Sequence, residues 1–156
     1  MANDRELSLT RLIDADPALV YRCYVEPELL QQWFVPKPWT ISKVDNDVRP
    51  GGRSLIVMRD PEGNEYPNPG VYLVVEPNRR IVTTDAFLEG WRPSEKAFMV
   101  AEMTFEPEAG GTRYTATARH WTEEDLKAHE QMGFHEGWGQ CADQLAELAV
   151  SLKAGG

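Results

Sequence analysis

All three histidines of the chain, His120, His129 and His135, fall in its final quarter. Two of them sit in "AHEQMGFHEGWGQCADQLAEL", beside several carboxylates and Cys141. Such residues could hold a metal, so spacing is the first test. A helical metal site needs ligands three or four residues apart, on one face. His129 and His135 are six apart, roughly 120° around a helix. Glu136 shares a face with His129, but two ligands two turns apart make no site. "AHEQMGFHE" lacks the second histidine of an HExxH pattern. No metal is therefore expected, and both histidines read as solvated side chains on an outer helix face. Nucleophilic chemistry is no clearer. Cys141 has no histidine at helical contact spacing, which leaves only a pairing with His120 across the fold. No GxSxG or phosphate-cradling glycine loop exists. Asp45, Asp85, Glu102 or His120 could act as a general acid or base, but no spacing singles one out.

The chain around these residues has 156 positions, enough for one domain with a real core, read as spanning 1–156. Its formal net charge of -9 argues against nucleic acid and against anionic membranes. No apolar run is long enough for a transmembrane helix. "MANDRELSLTRLIDAD" has no apolar signal core, so a cytoplasmic protein is expected. Cys23 and Cys141 form no CxxC pair and read as reduced, packed thiols. No cofactor is expected.

Alternation marks "ELSLTRLID" as the first strand. Asp16–Pro17 then starts one short helix and "EPELLQQWFV" a second. About six further strands follow, punctuated by "RPGGR", "DPEGN", "NRR" and "AGG". One long helix from about Thr122 to Lys153 closes the chain, with Thr122 and Asp125 as a weak capping box. Strands joined by tight turns are antiparallel neighbours. A bent antiparallel sheet covered by one helix is an α+β arrangement.

The strand faces hold unusual residues for a core. Met99, Ala101, Met103 and Phe105 share one face, and Tyr114, Ala116, Ala118 and His120 another. Ser54, Ile56 and Met58 group likewise, as do Gly70, Tyr72 and Val74. Filled cores favour Leu, Ile and Val. Small residues leave room, and methionine adapts to what occupies it. A hollow fits this pattern as well as a core plugged by Phe134 and Trp138 does. On the helix, Phe134, Trp138, Cys141, Leu145, Leu148 and Leu152 form an apolar stripe. Gly133, Gly137 and Gly139 lie among them at about 1 kcal/mol each relative to alanine. Close approach to the sheet, or a bend, would account for them.

Taken together, "PGGR", "MRDPEGNEYPNPGVY", "GGTRYT" and "MGFHEGWGQCADQLAEL" make the chain resemble the activator-of-Hsp90-ATPase-homologue-like branch of the START/Bet v 1-like superfamily (SRPBCC). The resemblance covers nearly the whole chain. It implies a helix-grip fold: a curved seven-stranded antiparallel sheet around a long C-terminal helix, with two short helices at one end. It also implies a central, mainly apolar cavity and no shared catalytic constellation. The family name comes from co-chaperones in which such a domain accompanies a separate one. Chaperone contact therefore carries over only weakly. Ser54 stands where relatives often carry an aromatic, which would enlarge or wet the cavity.

The expected function is binding of a small apolar or amphipathic molecule, such as a lipid, polyketide or aromatic compound. The expected ligand-binding residues are Met58, Tyr72, Met99, Met103, Tyr114, His120, Trp138 and Cys141, with Trp33 and Phe34 at the mouth. Tyr72 and His120 would orient a polar group. The alternatives are a cyclase- or hydrolase-type enzyme using the same cavity, or a chaperone-associated interaction module. The balance leans away from an enzyme. A homodimer is compatible with the sequence.

Overall fold

Leu7, Leu9 and Ile13 bury alternate positions of β1 (Glu6–Ile13), the strand that opens a computed structural model describing residues 5–155, with side chains through Lys153. Part of the N-terminal stretch read for a leader, residues 1–4, lies outside that range. The Asp16 side chain accepts from the Leu19 amide at 2.9 Å and caps α1 (Pro17–Val25). A second proline-led turn, α2 (Pro27–Leu30), follows at once. Pro at the first helical position gives up only an N–H that has no partner there.

The middle of the chain is β2 (Thr40–Asn46), β3 (Arg53–Arg59), β4 (Glu65–Glu76), β5 (Arg80–Thr84), the short ribbon β6 (Phe87–Leu88) and β7 (Arg92–Pro93), β8 (Met99–Glu108) and β9 (Gly111–His120). Seven strands form one antiparallel sheet in the order β1-β9-β8-β5-β4-β3-β2. The β8–β9 turn has positive φ at both Ala109 and Gly110, the twist-compatible arrangement for a two-residue hairpin. Bulges interrupt β2 between Ile41 and Lys43 and β4 between Tyr72 and Val74, where an extra residue bends the strand. The second bulge corrects one expected face. Gly70 and Tyr72 are followed on the core side by Val75, not Val74.

The terminal helix is also corrected. It is two helices, α3 (Glu123–Gln131) and α4 (Phe134–Gly155), separated at Gly133 with φ +95°. A left-handed residue ends a helix by closing its last carbonyls, and the Gly133 amide donates to Glu130 O at 3.1 Å. Thr122 caps α3 as expected, accepting from Asp125 N at 3.0 Å. The close-approach reading of Gly137 fails, since a Cβ built there meets nothing within 4 Å. The apolar stripe of α4 does face the sheet, with Phe134 and Leu145 fully buried. This is the helix-grip fold: the sheet curves around α4, and α1 and α2 lie at one end. Among the described residues no helix is long and apolar enough to cross a membrane.

Candidate functional site

The middle of the sheet is built from small and flexible residues. The β8–β9 register sets Met103 opposite Ala116 and Ala101 opposite Ala118. Large side chains of α4 therefore have little to press against at this level. The result is an inner hollow of about 170 Å³, bounded by Tyr24, Trp33, Phe34, Met103, Tyr114, Trp138 and Cys141 among others. Beside it lies an outer cleft of about 610 Å³, whose wall includes Ser54, Asn68, Gly70, Asp85, Ser94, Glu95 and Lys96. Phe34, Met58, Thr83, Met99 and Ala101 border both.

Eight of the ten expected ligand-binding residues thus come together around these two spaces: Trp33, Phe34, Met58, Met99, Met103, Tyr114, Trp138 and Cys141. Tyr72 and His120 do not. Tyr72 is buried in the sheet layer, where desolvation pushes its hydroxyl up to about 12. His120 is buried away from the hollow, and its Nδ1 lies 2.8 Å from Phe98 O.

His120 leads to a feature that residue spacing missed. Its Nε2 is 3.0 Å from Nδ1 of His129, which is buried rather than solvated. A carbonyl only accepts, so His120 Nδ1 carries a proton. Neutral His120 then accepts at Nε2, and His129 donates from Nδ1. Rings of Phe98, Phe134 and Trp138 surround the pair at centroid distances of 4.8–5.6 Å. Burial, with His120 beside it, lowers the His129 pKa to about 4. Among the described residues no group of three or more His, Cys, Asp or Glu could hold an ion. His135 is exposed, as expected.

Trp33, expected at the mouth, is instead 3% exposed and borders the inner hollow but not the outer cleft, and the segment that carries it is held by a residue that no motif singled out. Gln144 on α4 donates from Nε2 to Trp33 O at 2.9 Å and Val35 O at 2.8 Å. Its Oε1 accepts from Lys37 N at 3.2 Å and from Gln140 at 3.2 Å. The amide is fully used, and it ties the segment carrying Trp33 and Phe34 to α4. Gln144→Leu should strand three backbone groups and cost about 1–3 kcal/mol in urea unfolding. A loss below about 0.5 kcal/mol would show that water replaces the amide at no cost.

The wall itself holds no activated nucleophile among these groups. Desolvation pushes the Cys141 thiol up to about 12, and burial raises Tyr24 and Tyr114. Cys141 donates weakly to Phe34 O at 3.5 Å, so the imagined pairing with His120 is not made.

The model of the family described as "Activator of Hsp90 ATPase homolog 1-like protein" matches residues 14–149. The chain belongs to that family. A solved Nitrosomonas europaea structure is 46% identical, covers 99% of both chains and superposes with a TM-score of 0.94. A Mycobacterium smegmatis protein is 25% identical, with TM-score 0.79 over 95% of this chain and 92% of that one. A Chromobacterium violaceum protein is also 25% identical, with TM-score 0.76 over 92% and 96%. No curated protein matches the chain. Family membership and the helix-grip fold are thereby settled together.

Proposed function

We propose that the protein binds a small apolar or amphipathic molecule, with its apolar body in the inner hollow and its polar end in the outer cleft. The observation that carries this reading is the wall shared by the two spaces, formed by Phe34, Met58, Thr83, Met99 and Ala101. The inner space is lined mainly by apolar side chains, while the outer one is edged with charged and hydroxyl side chains. An apolar cavity of about 150 Å³ holds a benzene ring, so the 170 Å³ hollow suits one ring or a short chain. The 610 Å³ cleft lies within the range of about 300–1,000 Å³ common for ligand sites. Methionines in the shared wall can adapt to different occupants. A cyclase- or hydrolase-type enzyme would use the same space; burial keeps Cys141, Tyr24 and Tyr114 protonated, which leaves the Asp85 and Glu95 carboxylates of the outer cleft as its candidate bases.

Native mass spectrometry of the purified protein, then thermal shifts with lipids and aromatic compounds, tests the reading. No bound species and no shift with any class would overturn it. Met103 is 2% exposed and borders the inner hollow. Met103→Trp should fill that space, abolish uptake and leave the protein folded. In a core already filled, the same change would instead cost about 1–3 kcal/mol by overpacking.

A further inference from the structure

The outer cleft carries charged groups of net negative sign together with the hydroxyls of Ser54, Thr83, Thr84 and Ser94, which can donate or accept; Ser94 Oγ is buried without a hydrogen-bond partner among the described residues. The charged wall residues are Asp85, Glu95 and Lys96, two negative and one positive. Asp85 is half-buried, and its Oδ1 is pinned by the amides of Phe98 at 2.8 Å and Met99 at 3.2 Å. Its Oδ2 has no hydrogen-bond partner, and no cation lies within 4.0 Å, among the described residues. Glu95 and Lys96 are exposed, and neither forms an ion pair among the described residues. Lys96 therefore does not neutralise Asp85 at contact distance.

Asn68 adds to this bias. Its Nδ2 donates to Tyr66 O at 2.8 Å and Ile56 O at 3.4 Å, which leaves Oδ1 as the side chain's unused atom. An immobile, half-buried carboxylate acts more strongly than solvated charges on flexible stems. The chain's net charge of -9 draws cations in the same direction. From this lining we infer that the outer cleft takes the positively charged, hydrogen-bond-donating end of an amphipathic amine and turns away the free carboxylate of a fatty-acid-like molecule. The inference rests on the ligand-binding reading above and specifies the head group for it. Asp85 is its specificity-determining residue, and Asn68 adds a neutral acceptor on the wall of the same cleft.

Three probes share one ring-sized apolar body and differ in the head: phenethylamine, 2-phenylethanol and 3-phenylpropionate. Titrated into the full chain at pH 7 and low salt, they should bind in the order amine, alcohol, carboxylate. Amine and alcohol should differ by about three- to fivefold, as for a partly exposed ion pair. Asp85→Asn keeps an oxygen for the two amides and removes the charge. It should erase the amine's advantage, bringing the amine down to about the alcohol's affinity measured on the same variant. Glu95→Gln is an exposed, fold-neutral companion that should reduce the amine preference by less. Raising the salt to 1 M should shrink the preference in the unaltered protein. If the carboxylate binds as well as the amine, or the preference survives both substitutions, the head-group inference falls while ligand binding stands. If none of the three probes binds and the lipid and aromatic titrations are also blank, the binding reading itself has failed.

Discussion

Lowering the pH from 7 to 4 should cost this protein up to about 3 kcal/mol of stability through His129 alone. The imidazole titrates near 6.5 in the unfolded chain and near 4 in the buried pair. Each pKa unit is worth about 1.36 kcal/mol. A base with a depressed folded pKa stabilises the fold fully above 6.5. That stability is lost as pH falls from 6.5 to 4, because only the unfolded chain readily takes up the proton. The Glu102 carboxylate acts lower down. Arg119 and Arg80 hold Glu102 below its ordinary 4.5 despite burial, so its contribution fades only under that value. The window from 6.5 to about 5 therefore lies above the range in which this carboxylate acts. His129→Asn keeps a donor where Nδ1 stands and removes the titration. Urea unfolding at pH 7 and pH 5 should show a clear loss in the natural protein and almost none in this variant. Parallel losses in both would exclude His129 as the cause. The loss should appear first in α3, which holds His129 against β9 and α4 and is bounded by the left-handed Gly133. Amide exchange in residues 123–131 should rise before that of β8 and β9.

That pair also shows where residue patterns stop being informative. Counting six residues from His129 to His135 presumes one unbroken helix. Gly133 breaks it, so the angle so derived refers to a helix that does not exist. The glycine was visible, but a glycine at a helix end and one inside a helix look alike in a sequence. Strand faces were legible because alternation depends only on local geometry. Met99, Ala101, Met103 and Phe105 share a face with no knowledge of their partners. The same logic failed one step past Tyr72, since a bulge adds a residue without a compositional mark and shifts Val75 inward. Tyr72 and His120 lie on strand faces that also carry wall residues, yet both are covered by neighbours. A face says which side a residue is on, not whether space remains there. Asp85, Glu95 and Lys96 carry no period at all. They reach the outer cleft from the stretch between β5 and β8, whose path no repeat encodes. Gln144 is similar: an amide between apolar stripe positions reads as surface until its carbonyl partners are located.

Phe105→Ala should be among the most damaging single changes in the molecule, and should also enlarge the hollow. Phe105 is fully buried on β8, opposite Tyr114. Its ring lies 5.7 Å from Tyr114, 5.8 Å from Tyr21 and 6.1 Å from Tyr24. Tyr114 and Tyr24 are walls of the inner hollow, so Phe105 supports that wall from behind. Truncating a buried phenylalanine typically costs about 3–5 kcal/mol, the transfer loss plus the void left behind. Here part of the void should join the existing hollow, because Tyr24 and Tyr114 can lean into it. A small aromatic such as toluene should then stabilise the variant more than the natural protein. Binding at a concentration a hundredfold above Kd returns about 2.7 kcal/mol, a large share of the loss. Urea unfolding with and without saturating toluene measures both quantities. A cost below about 1.5 kcal/mol would mean that α1 and the sheet close over the gap. A full cost with no toluene rescue would mean that the void is sealed from the hollow, and that the two tyrosines form a rigid partition between them.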